Sequence, residues 1–191
     1  MSQISSINFK KSNAIQTRHN DRDLPPNYLI SNSGCECNRS HQEALRLKNA
    51  ITQESIENYT RTTKQKFQAK SYEWSAVVNI KPDTTMKDLE RLAEHFETKY
   101  GFQCYQIAIH RDEGHINDYG EKVINHHAHL EFITLDKYTG KSLFRADLQK
   151  AKALRQMQTE VAEILNMKRG QDKRISKRER VEPRKYAQMK E

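Results

Sequence analysis

Apolar residues recur every three to four positions in three stretches and every second position in three others, and these two periods predict a mixed α and β chain. Between Thr85 and Tyr100, Met86, Leu89, Leu92, Ala93, Phe96 and Tyr100 fall on one helical face, and Gly101 supplies the stop. A second helix is expected over Ala146 to Asn166, with Leu154, Met157, Val161, Ile164 and Leu165 on its stripe. A third is expected over His41 to Tyr59, through Leu45, Leu47, Ala50, Ile51 and Ile56. The strands alternate. In Tyr72 to Ile80, Trp74, Ala76, Val78 and Ile80 oppose Glu73, Ser75, Val77 and Asn79. In Cys104 to His110, Tyr105, Ile107 and Ile109 oppose Gln106, Ala108 and His110, and in His127 to Leu135, Ala128, Leu130, Phe132 and Thr134 oppose His127, His129, Glu131 and Ile133.

Each strand thus has an apolar face to bury and a more polar one. The fold class this predicts is α+β, an antiparallel sheet with helices on one face. The histidines lie on the polar side. Five of the eight, His110, His115, His126, His127 and His129, fall within twenty residues. Residues two apart on a strand project to the same side, so His127 and His129 can share an ion, and His110 has the parity to be the third ligand. His126 points the other way. Three imidazoles suit Mn, Zn, Co, Ni or Fe and leave coordination positions open for water or phosphate. Asp112 and Glu113 follow His110 and are expected either to orient the ligating imidazoles through their second nitrogen or to join the ligand set.

Charge adds a partner class to this picture. The 191 residues carry 33 Lys and Arg against 25 Asp and Glu, a net charge of +8, which suits a polyanion. Ten of the basic and four of the acidic residues lie from Lys168 onward, so this stretch holds +6 of the total. We therefore expect one domain over residues 1–167 and a basic tail or connector over 168–191. No apolar run approaches the ~18 residues of a membrane span, and the first thirty residues lack a signal-peptide pattern. Three cysteines, Cys35, Cys37 and Cys104, are too few for a disulfide framework, as in a reducing compartment. The polar segment from Asn20 to Arg39 is expected to be loop, including Cys35-Glu36-Cys37, which with His41 lacks the second ligand pair of a zinc site. His110 and His115 do not match His-Glu-x-x-His in spacing, and Gly114 breaks a helix there.

The blocks His110-Arg111-Asp112-Glu113 and His127-Ala128-His129 resemble the histidine motif of the HUH endonucleases, and the first of them resembles the plasmid mobilisation relaxases of the Pre/Mob (MOBV) type. Arg18-His19-Asn20-Asp21-Arg22 resembles that family's N-terminal His-Asn-x-Arg motif, in the right order along the chain. Glu73-Trp74 and the helix region from Phe144 to Gly170 extend the likeness over most of residues 1–170. One departure stands out. The family joins its first metal histidine to the His-x-His pair by a short turn, whereas Gly114 to His126 is longer here and is expected to form a hairpin around Asn117-Asp118-Tyr119-Gly120.

The resemblance implies a ferredoxin-like or palm-type HUH relaxase fold and a metal-dependent, strand-specific nick at a plasmid transfer origin, with the protein joined to the 5′ phosphate. It maps the nucleophile to His19, with Arg22 and Glu113 as further catalytic residues, His110, His127 and His129 as metal ligands, and Asp112 and Glu113 behind them. Mn is the first expectation for the divalent ion, with Mg, Zn, Co and Ni as alternatives. Tyr28 is the reserve nucleophile. Arg18, Asn20, Arg61, Lys64, Lys66, Lys70, Lys168 and Arg169 are the expected DNA contacts, with DNA across the open sheet face. The partner would be origin DNA, single-stranded or hairpin, together with accessory relaxosome proteins in a bacterial cytoplasm. Relaxases are commonly longer, so the resemblance also implies the catalytic portion of a larger protein. Two other readings stay open: an HUH-type rolling-circle replication initiator using tyrosine, and a metal-containing DNA-binding module that does not cleave.

Overall fold

A computed structural model of the chain describes residues 4–31 and 34–177. Its elements are β1 (Ile4–Ser5), β2 (Ile7–Lys11), α1 (Gln16–Asn20), β3 (Cys35–Cys37), α2 (His41–Thr63), β4 (Glu73–Asn79), α3 (Met86–Tyr100), β5 (Gln103–His110), β6 (Gly114–Ile116), β7 (Lys122–Ile124), β8 (His127–Ile133), α4 (Ala146–Gln149), α5 (Ala151–Ile164), β9 (Lys168–Arg169) and α6 (Lys173–Ser176).

The two longest helices, α2 and α3, start at side chains that replace missing backbone acceptors. Thr85 with Asp88 and Ser40 with Glu43 form capping boxes at α3 and α2. Gly101 ends α3 in the left-handed region at φ 73°. The expected third helix continues beyond Tyr59 to Thr63. The helix expected over Ala146 to Asn166 is instead two helices, because Lys150 is extended, at φ −65° and ψ 148°. The break lets Leu148 and Leu154 both reach the core.

Five strands pair antiparallel in the order β2-β4-β8-β5-β3. The unit β4-α3-β5 is a split β–α–β: its two strands run the same way with β8 inserted between them. One sheet face packs under α3 and α5. There Leu89, Leu92, Phe96, Met157 and Val161 meet Ala76, Val78, Ile107, Leu130 and Phe132. Phe9, Phe96, Phe102, Phe132 and Phe144 mesh in this core, with Phe9 and Phe144 at 5.1 Å and Phe9 and Phe102 edge to face at 6.2 Å.

The class and the helical cover of this face are as expected, but the second face is not open along its length. A register shift between Cys104 and Gln106 turns Tyr105 away from Ile107 and Ile109, against the alternation expected for it. Tyr105, Ile133 and Leu135 form a second cluster with Ala44, under Leu47 and Ile51 of α2. The histidine end of the same face lies beneath α1.

Cys35-Glu36-Cys37 is an edge strand, not the loop expected of it, since it pairs with His110, Ile109 and Ala108 of β5. The hairpin expected after Glu113 is present as β6-β7, with Asn117 and Glu121 closing its turn and Gly120 at φ 79°. Lys168 and Arg169 pair with Ile4 and Ser5, so the described chain continues into the fold past the boundary expected at Lys168. Of the tail, residues 178–191 lie outside the described residues.

Candidate metal centre and nucleophile

The register brings the histidines together. His110 on β5 stands opposite His127 on β8, and His129 is two residues further along the same face. Their ring centroids are 5.0–5.2 Å apart. All three are buried, at 0%, 5% and 4% exposure. His126, before β8, is outside this cluster, as the parity required.

The hydrogen bonds fix how the imidazoles face. A carbonyl only accepts, so His110 Nε2 carries the proton it donates to the Asn20 carbonyl at 3.0 Å. His110 Nδ1 is therefore a bare lone pair, buried without a hydrogen-bond partner and 3.5 Å from Glu113 Oε1. Likewise His127 Nδ1 donates to the Asn125 carbonyl at 2.8 Å, leaving its Nε2 lone pair 3.7 Å from Glu113 Oε2. Two lone pairs face one carboxylate in a buried space. Such an arrangement of acceptors is costly unless a cation sits among them. The residues present fit a divalent ion: His110, Glu113 and His127 form one set of donor atoms within 4.8 Å of one another, and His19, His110 and His129 form a second. Burial, then the neighbouring His127 and Arg22 charges, lowers the His110 pKa to about 3, and burial drives that of His129 well below its ordinary value. Both are neutral, as ligands must be.

His19 arrives from a separate element. Asn13 precedes α1 and accepts from Ile15 and Gln16, and after the C-cap Asp21 the chain turns away at Arg22, whose backbone is left-handed at φ 64°. A non-glycine residue there costs about 1–2 kcal/mol. Arg22 is held in place by a bidentate pair with Asp112, at 2.7 and 2.5 Å, and a 2.9 Å contact to Glu113. This fastens the end of α1 to the chain after β5. His19 then lies 5.1 Å from His110 and 5.5 Å from His129 between ring centroids, with Nε2 3.4 Å from Glu113 Oε1. Its side chain is 20% exposed, more than those of His110, His127, Glu113 and Arg22. Burial lowers its pKa, against the opposing pull of Glu113.

The structure gathers His19, Arg22, Asp112, Glu113, His110, His127 and His129 at one point. Asp112 holds Arg22 and, among the described residues, hydrogen-bonds none of these imidazoles, so of the two acids Glu113 is the one that meets the histidines. Tyr28 is half exposed, next to Leu29, which bridges to Glu113.

The expected DNA contacts scatter. Asn20 is fully buried, donating to Gln106 at 3.0 Å and to Glu131 at 3.3 Å, so it is a strut of the fold and no DNA contact. Arg18 is exposed and paired with Asp23 at 2.6 Å. Arg61 and Lys64 are exposed at the far end of α2, which at ~1.5 Å per residue lies about 34 Å from His41 beside the centre, and Lys66 and Lys70 follow in the exposed loop. Lys168 and Arg169 pair with β1 beside α5, in the layer across the sheet from the histidines.

What the sequence hid is the polar scaffold under the site. Buried Glu131 accepts from Ser75, Ser12 and Asn20, and burial raises its pKa. Gln16 links Asn20 to His129. Glu131 shares the parity of His127 and His129, which was its signal; Gln16 had none.

No family model matches the sequence, and no curated protein matches it. Among the solved structures that match it in fold are two of one relaxase domain. The MobM relaxase domain (MOBV; Mob_Pre) bound to plasmid pMV158 oriT DNA of 22 nucleotides, a Mn-bound crystal structure at pH 5.5, has a TM-score of 0.68 at 14% identity, over 98% of this chain and 100% of that one. A second crystal structure of the same domain, Mn-bound at pH 6.8 with a 3′-thiophosphate oligonucleotide, has a TM-score of 0.64 at 13% identity, over 98% and 99%. The chain has the fold of a MOBV relaxase domain.

Proposed function

We propose that this protein is a metal-dependent DNA-nicking relaxase that cuts one strand at a plasmid transfer origin and remains attached to the 5′ phosphate through His19. One observation carries the reading. A separate element, α1, is held in a strained turn by Arg22, Asp112 and Glu113 so that an accessible imidazole meets three buried ones and a carboxylate. A structural histidine needs no such arrangement. The fold shared with a relaxase domain bound to oriT DNA supports the same substrate.

His110, His127 and His129, with Glu113, would hold the ion. When bound, a divalent cation supplies Lewis-acid polarisation of a non-bridging phosphate oxygen. The rest belongs to the chain. His19, neutral through burial, gives a ring-nitrogen lone pair to phosphorus, and the phosphorus–oxygen bond to the 3′ side breaks. The N–H of the attacking ring passes its proton to Glu113, 3.4 Å away, and the departing 3′ oxygen takes up a proton from solvent. Arg22 Nη1 donates to the His19 carbonyl at 2.9 Å and stands 3.4 Å from the ring, which orients the nucleophile. Its remaining donors are committed to acids, so its charge is shared with them.

The test is incubation with supercoiled plasmid carrying the origin and Mn, followed by denaturing analysis for protein on the 5′ end. The parent should give an acid-labile, base-stable adduct, the mark of a phosphoramidate. His19→Ala should abolish it while retaining metal and DNA. Loss of metal from that variant would make His19 a ligand, and an adduct that survives acid or vanishes only in Tyr28→Phe would move the role to the tyrosine.

A further inference from the structure

The β6-β7 hairpin rises from the centre itself: Glu113 precedes it, His127 follows two residues after Asn125, and Asn125 N–H donates to the Glu113 carbonyl at 2.8 Å. It is a fixed object. Lys122 Nζ donates to the Ile30 carbonyl at 2.8 Å, and a side chain at Gly114 would meet Val123 O at 2.1 Å and Ile30 Cδ1 at 2.6 Å, so hairpin and loop press closely together. Yet its outer part is unburied. Tyr119 is 89% exposed and Ile116 64%, and Val123 and Ile124 are also exposed.

Charge separates the two sides of the centre. Gly114 to Asn125 contains Asp118, Glu121 and Lys122, a net −1, which does not attract phosphates. On the other side, Lys10 stands opposite Ser75, and Ser75 opposite Glu131, which places Lys10 on the histidine face beyond His129. Lys10 is exposed, and no described acid pairs with it.

We propose that the hairpin tip is a base-stacking wedge: Tyr119 and Ile116 contact unpaired bases flanking the cleaved phosphate, while Lys10 takes the sugar–phosphate backbone on the opposite margin. The inference rests on the relaxase reading and adds the orientation of the strand, bases toward the hairpin and phosphates toward β2. Aromatic and aliphatic side chains bind bases without regard to charge, because every base has an apolar face.

The experiment measures binding of a fluorescein-labelled single-stranded oligonucleotide at several salt concentrations. The double variant Ile116→Ser, Tyr119→Ala changes only exposed positions, and its circular dichroism melt checks the fold. It should lose affinity on the order of tenfold with the salt slope unchanged. Lys10→Ala should lose affinity with the slope flattened by about 0.7. An oligonucleotide with abasic sites flanking the cleavage position should weaken the parent and leave the double variant unaffected. A parent that binds no DNA overturns the wedge and the relaxase reading together. A parent that binds DNA with a double variant equal to it overturns the wedge alone, as does a double variant that changes only from dimer to monomer, which would make the tip a self-contact.

Discussion

At the scale of single residues, the centre is defined by which lone pairs have nowhere to go. His110 Nδ1 and the Nε2 of His127 face Glu113 with no donor between them. His110→Ala, His127→Ala and His129→Ala should therefore each lower divalent-metal affinity by on the order of a hundredfold or more in titration calorimetry, because two imidazoles hold such an ion poorly. His126→Ala should bind as the parent does. The opposite pattern, with His126 needed and His127 dispensable, would mean that β8 is shifted by one residue. That these three side chains meet was legible because strand parity has a period of two, which leaves only two choices for each side chain. His19 was legible only through its motif, since no periodicity links residue 19 to residue 110. Asn20 was misread for a related reason: a polar residue in a turn-like string gives no sign that Gln106 and Glu131 will enclose it.

Among the elements, length decided what could be foreseen. The helix from Met86 to Tyr100 carries a full apolar stripe and a cap at each end, whereas α1 has five residues, too few for a period to show. The bulge at Tyr105 is a property of the pairing and not of the strand's own sequence, so alternation alone could not reveal it. Side chains also join elements where no pattern points to them. Glu160 of α5 is buried and accepts from Tyr100 at 2.8 Å, His95 at 2.9 Å, Lys99 and Gln156, which ties α5 to α3. Burial pulls its pKa up, but these donors outweigh burial and leave it at about 2. A folded-state pKa below the unfolded one gives stability that is present above about pH 4.5 and is lost as the pH falls toward 2. Glu160→Gln should therefore cost about 1–3 kcal/mol at neutral pH in urea titrations, and the gap to the parent should close on acidification through that window. A gap independent of pH would show that the tie depends on shape and not on the charge.

For the molecule as a whole, the sheet divides two kinds of surface. The histidines, α1 and the hairpin occupy one side, and the described start of the basic segment, Lys168 and Arg169, joins the α5 layer on the other. Composition located the positive charge but not its position in space. Truncation at Asn166 would remove β9 and with it the partner of β1, so a fair test cuts after Lys177. The residues removed then carry five Lys or Arg and three Asp or Glu, a net +2. Phosphate contacts release counterions, and each lost contact reduces the slope of log affinity against log salt by about 0.7–0.9. The truncated protein should bind every DNA sequence more weakly by the same factor, with a flatter slope, and should nick at an unchanged position, because the residues proposed to act on the cleaved phosphate lie across the sheet. An unchanged slope would remove this segment from the DNA interface. A shifted nick would show that the segment reaches around the sheet to the centre.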